Sequence, residues 1–125
     1  MQKLMLVGAG GFLGACLRYV ITLNSAKIMG TDFPYGTLIV NITGGIIIGI
    51  IMELSQTSNA VSDNMKLFLT TGIMGGLTTF STFSYETVSF FSRGDYMPAI
   101  LNTGLNVFLS FSGVVLGKYA AHIMR

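Results

Sequence analysis

Long apolar stretches, interrupted only briefly by polar residues, constrain this chain more than any other feature. Of its 125 residues 51% are hydrophobic and only 10% are charged, where a soluble domain carries about 25% charged residues. A helix needs about 20 mostly apolar residues to cross a bilayer. Four such spans can be drawn, at about 4–23, 37–54, 66–91 and 98–123. They predict one all-α membrane domain of four helices over 1–125, with little chain left for anything outside the bilayer. A soluble enzyme is excluded on composition.

Lys3 followed by an apolar run has the form of a signal peptide, and Leu13-Gly14-Ala15-Cys16 loosely resembles a bacterial lipoprotein cleavage site. Apolar residues continue through Leu17, Tyr19, Val20 and Ile21, and further spans follow, so the segment reads as a retained membrane helix. Cys16 is the single cysteine and is expected to serve helix packing. Each span also holds two glycines four residues apart: Gly10 and Gly14, Gly45 and Gly49, Gly72 and Gly76, Gly113 and Gly117. In lipid such pairs let helices approach closely, and plain packing is the expected role of most of them.

Four spans put both termini and the loop after the second span on one side of the membrane. Lys3, Lys66, Lys118 and Arg125 fall there, against Arg18, Lys27 and Arg93 at or near the other side. So even a split gives the positive-inside rule little to act on. The charge count is compatible with one orientation, or with insertion both ways and pairing of opposed copies about a two-fold axis in the membrane plane.

The polar residues inside the spans carry the chemistry. Gly75-Gly76-Leu77-Thr78-Thr79-Phe80-Ser81-Thr82-Phe83 sets four hydroxyls and two glycines in the third span, where an unpartnered buried hydroxyl costs on the order of 1–3 kcal/mol. Glycine weakens a helix, so a break is expected near Gly75–Thr79. Carbonyls freed at membrane depth need protein, water or an ion. In the fourth span Asn102, Asn106, Ser110, Gly113 and Gly117 fall on one helical stripe, as do Thr37, Asn41, Gly45 and Gly49 in the second. These amides and hydroxyls donate hydrogen bonds without fixed positive charge, which suits an anion that must enter and also leave. The plain alternative is that such stripes glue helices together. Phe80 and Phe83 lie three apart on one face, and the electropositive ring edges can hold a small anion in the ring plane.

The third-span string, with Val40-Asn41 and Gly44-Gly45 in span two and Gly14-Ala15-Cys16-Leu17-Arg18 in span one, resembles the small fluoride channels called Fluc or CrcB. The resemblance covers the whole chain. It implies an antiparallel, dual-topology homodimer of four-helix subunits in the microbial plasma membrane. It further implies two fluoride pores, a structural Na⁺ at the broken third helices, and passive export of fluoride from the cytoplasm. On this resemblance Phe80 and Phe83 form an aromatic box and Asn41 supplies the pore amide. Ser81 and Thr82 flank them, while Asn102, Asn106 and Ser110 form a polar track. The carbonyls of Gly75 and Thr78 match the Na⁺ ligands. Arg18 matches a vestibule arginine, its plain alternative being a helix-end residue snorkelling to the interface.

Glu86 admits two roles, a hydrogen-bonded switch coupled to fluoride movement or a residue that positions its helix. It also supports a different reading of the chain, a dual-topology proton-coupled antiporter in which Glu86 exchanges its proton against substrate. The absence of Trp, the donor-rich polar groups and the position of Glu86 toward the end of its span weigh against that. A non-transporting subunit of a larger complex would explain the glycine pairs but not the cluster of hydroxyls and Phe rings. No partner is implied beyond fluoride, a second copy and the bilayer; nothing points to nucleic acid.

Overall fold

The computed structural model describes residues 1–124, so Arg125, counted above on one side of the membrane, lies outside the described residues. Among these residues every regular element is helical. Helix α1 spans Gln2–Met29 and α2 spans Tyr35–Thr57. A helical run follows, made of α3 (Asp63–Leu67), a π-helical segment Phe68–Met74 and the single turn α4 (Gly75–Leu77). Two extended residues interrupt it, and α5 (Phe80–Ser92) and α6 (Tyr96–Ile123) complete the fold. Left-handed glycines make two of the turns, Gly30 (φ 85°) after α1 and Gly94 (φ 80°) before α6, conformations that a Cβ disfavours.

Three of these helices, α1, α2 and α6, are each long and apolar enough to cross a membrane. The predicted third span is instead assembled from shorter pieces. The break differs in detail from the expectation. Gly75, Gly76 and Leu77 remain helical, and the extended residues are Thr78 (ψ 158°) and Thr79 (ψ 115°). Hydrogen bonding before the break loosens to the i→i+5 pattern, a widening that recurs at functional sites. Thr79 then starts α5 as its N-cap, its hydroxyl oxygen accepting the Thr82 N–H at 3.2 Å.

The glycine pairs explain how the elements pack. A Cβ on Gly45 would lie 2.8 Å from the Ser110 carbonyl oxygen, and one on Gly113 would lie 3.1 Å from that of Ile42, so α2 and α6 touch backbone to backbone. On the other side Gly10 and Gly14 of α1 meet Gly72 and Gly76 of the third-span run; a Cβ on Gly72 would sit 2.9 Å from the Gly10 Cα. All four pairs therefore lie at helix contacts. Val40, Met74 and Leu77 form the small apolar core between them, flanked by Ile21, Ile47, Ile48 and Ile73. Near the far end of α2, Glu53 and Lys118 pair at 3.7 Å. Cys16 does not serve packing as expected, because its side chain is exposed along with neighbours such as Phe12, Tyr19 and Val20. The outer face of α1 is apolar and exposed, as suits contact with lipid.

Candidate functional site

A cavity of about 500 Å³ opens beside the helix break. Asn41, Thr78, Thr79, Phe80, Phe83, Asn106 and Ser110 line it together with Gly75 and Phe111, and among the described residues no charged one does. Phe80 and Phe83 stand with ring centroids 5.6 Å apart and planes tilted by 57°, so one ring edge can point where the other shows its face. The Ser110 hydroxyl oxygen is buried without a hydrogen-bond partner among the described residues. Ser81 and Thr82 sit on the first turn of α5 with exposed side chains, and Phe80 is 80% exposed.

The break sets the local electrostatics. The run ending at Leu77 directs its last carbonyls toward the gap, while α5 directs its first N–H groups into it. A discontinuous helix thus offers a negative end and a positive end at one depth. Asn41 fastens the gap by pairing with both backbone groups of one residue: its Oδ1 accepts the Thr79 N–H at 2.9 Å and its Nδ2 donates to the Thr79 carbonyl at 3.2 Å. In an unbroken helix the Thr79 N–H would close onto the Gly75 carbonyl. Its diversion to Asn41 takes that partner away.

The carbonyls of Gly75 and Thr78 are hard, neutral oxygen donors of the kind that suits Na⁺. These two carbonyls alone do not surround an ion. Arg18 lies inside α1 rather than at a helix end, which continues to Met29. Its Nη1 approaches the Thr78 carbonyl oxygen at 3.5 Å, leaving that oxygen a second lone pair. Arg18 therefore reaches the break and does not snorkel from a helix terminus.

Asn102 and Asn106 are both buried, at 0% and 4% exposure. Asn106 borders the cavity and Asn102 does not. Asn106 Nδ2 donates to both the backbone and side-chain oxygens of Asn102 at 2.9 Å, and Asn102 Nδ2 donates to Thr87 Oγ1 at 3.0 Å. Glu86 stands apart from this group. Thr37 donates to its Oε1 at 2.7 Å, and its Oε2 is buried without a partner among the described residues. The two residues border a second cavity of about 370 Å³, with Tyr35, Tyr85, Ser89 and Arg93 around it. Arg93 lies over the Phe90 ring at 5.1 Å and pairs with Asp95 at 3.2 Å.

Sequence reasoning missed Thr79 and Thr87 as site residues. Thr87 carried a signal, since it lies four residues after Phe83 and so on the same helical face. The pairing of Thr37 with Glu86 joins residues 49 apart in sequence, and spacing gives no hint of it.

The sequence pattern of the family described as CrcB-like protein, Camphor Resistance (CrcB), matches residues 5–118. The chain belongs to the CrcB family. A Clostridium perfringens protein called fluoride-specific ion channel FluC is 58% identical to it, the match covering 99% of each chain. A Clostridium novyi protein of the same name is 52% identical over 99% of each chain. An Aeromonas salmonicida protein, again of that name, is 46% identical over 94% of each. With these relatives and its apolar helices, this member of the CrcB family is a multi-pass protein of the bacterial plasma membrane.

Proposed function

We propose that the protein is a fluoride-selective passive channel that lets F⁻ leave the cytoplasm down its gradient. The observation that carries this reading is the uncharged cavity at the helix break, which combines the α5 N-terminus, the Phe80 and Phe83 ring edges and the unpartnered Ser110 hydroxyl. The names of its full-length relatives point the same way. Fluoride holds water tightly, so its passage requires close donors in place of the lost shell. Ser110, Ser81 and Thr82 supply hydroxyls, and the α5 N-terminus supplies positive potential. Asn41 and Asn106 supply amides. The absence of a lysine or arginine from the cavity lining keeps binding weak enough for release.

The run 63–77 and α5 together form one crossing, the third of four. Two copies inserted in opposite directions pair across the face that carries Phe80, Ser81, Thr82, Phe108 and Phe111. That face exposes Ser81 and Thr82, whose hydroxyls lipid cannot satisfy. Two antiparallel pores result, one beside each break. At their junction the Gly75 and Thr78 carbonyls of both copies hold a structural Na⁺. The ion, when bound, supplies positive charge that offsets converging carbonyl dipoles. Arg18 stands behind the break on the same carbonyl. Glu86, hydrogen-bonded to Thr37, stands near the mouth toward the loop 30–34 and switches its hydrogen bond as fluoride passes.

Fluoride release from liposomes holding only the purified protein, at equal pH inside and out, tests this. Release at equal pH, unchanged when a pH gradient is imposed, is the expected result. Release that needs a pH gradient and is lost in Glu86→Gln would replace the channel with a proton-coupled antiporter.

A further inference from the structure

A directional chain of hydrogen bonds runs behind the cavity. The Thr79 N–H donates to Asn41 Oδ1 (2.9 Å), Asn41 Nδ2 to Asn106 Oδ1 (2.9 Å), and Asn106 Nδ2 to Asn102 Oδ1 (2.9 Å). Asn102 Nδ2 then donates to Thr87 Oγ1 (3.0 Å), whose hydroxyl donates to the Phe83 carbonyl (2.9 Å). Every link points the same way, and such chains polarise one another. The direction is fixed by groups that cannot reverse. The Thr79 N–H only donates, and the carbonyls of Thr79, Asn102 and Phe83 only accept. Turning over Asn41 or Asn106 would set oxygen against oxygen, and turning over Asn102 would set its NH2 against that of Asn106.

Both ends of the chain land at the start of α5, on its N-cap Thr79 and on Phe83 in its first turn, the turn that carries both cavity rings. The chain leaves α5, crosses α2 and α6, and returns to α5. It is a strap around the aromatic turn. It also commits the amide hydrogens nearest the cavity: those of Asn41 go to Thr79 and Asn106, and those of Asn106 to the two oxygens of Asn102. An anion that takes one must outcompete an amide or peptide oxygen for it. A strong acceptor such as fluoride meets that demand and a weak one such as chloride does not.

We propose that Asn102 and Thr87, neither of which lines the cavity, are positioning residues that hold this strap and through it set the preference for fluoride over chloride. The proposal rests on the channel reading, but the strap itself does not depend on transport. Thr87→Val removes the oxygen that accepts from Asn102, while Thr87→Ser keeps it. Two readouts on the detergent-purified, full-length protein decide the matter: the Asn41 side-chain amide signals by NMR, and the fluoride-to-chloride release ratio from liposomes. In Thr87→Val the Asn41 signals are expected to shift and the ratio to fall about tenfold, equivalent to about 1.4 kcal/mol. Thr87→Ser is expected to restore both. Combining Thr87→Val with Asn102→Leu should do no more than either alone, because both cut one chain.

Asn41 signals that stay in place in Thr87→Val would overturn the strap, as would multiplied losses in the double variant. An unchanged ratio with shifted signals would overturn its role in selectivity. A parent protein that releases no fluoride would sink the channel reading instead, and the Asn41 signals would still decide whether the strap exists. Asn102→Asp, which keeps shape but replaces the donating amide, covers the case in which Thr87→Val does not fold, with the same two expectations.

Discussion

Ser110 separates folding from transport at the level of one side chain. Its hydroxyl is buried and finds no partner among the described residues, so removing it costs folding nothing and can relieve a desolvation penalty of about 1–3 kcal/mol. A hydrogen bond to a charged ion is worth about 1.5–3 kcal/mol. Ser110→Ala is therefore expected to unfold at the same or a higher temperature while fluoride release falls about tenfold or more. Lower stability together with unchanged release would show that the hydroxyl serves packing. Phe80→Ile tests the ring in the same assay. Loss of an aromatic edge worth about 0.5–1.5 kcal/mol should slow fluoride release up to about tenfold. At this scale the sequence is readable in part. The stripe through Asn102, Asn106 and Ser110 is plain from its spacing, and all three sit on the inner side of α6. Spacing cannot separate a residue that borders a cavity from one buried a turn behind it, and Asn102 is the latter. That distinction depends on where α5 lies against α6, which only tertiary packing fixes.

Among the elements, the broken third span was legible as a break but not as a shape. Glycines at 75 and 76 suggest a weak helix there, yet both stay helical; Gly76 presses against α1, where a Cβ on it would lie 2.9 Å from the Ala15 nitrogen, while Gly75 meets only its own run. The chain opens instead at two β-branched threonines, where Asn41 takes the Thr79 peptide and Thr79 caps α5. The π-helical segment before it has no mark in the sequence. The glycine pairs read correctly as packing, since close approach needs only small residues at helical spacing. Gly45→Ala forces a methyl against the Ser110 carbonyl, and overpacking of this kind costs about 1–3 kcal/mol. Gly8 faces open space within the same fold, and Gly8→Ala should be neutral or slightly stabilising through helix propensity. Thermal unfolding in detergent compares the two. Equal effects would mean that the α2–α6 contact is looser than these distances imply.

For the whole molecule, the open face beside the break and the near-even basic residues concern the same matter. Polar groups at membrane depth on that face require a cover, and an opposed second copy supplies one only if the chain inserts both ways. Ser92→Cys in a Cys16→Ser background puts a single thiol at the exposed end of α5, beside the turn to α6. A membrane-impermeant thiol reagent should then label about half of the copies from each side, as a two-fold axis in the membrane plane demands. Labelling from one side only would exclude dual topology. The most direct measurement is electrical. A planar bilayer holding the purified protein, with fluoride salt on one side and an equal concentration of chloride salt on the other, should carry current that reverses far toward the fluoride potential. The Phe80→Ile variant should carry much less. Reversal near zero, or current carried equally well by chloride, would contradict a fluoride-selective pore at the helix break.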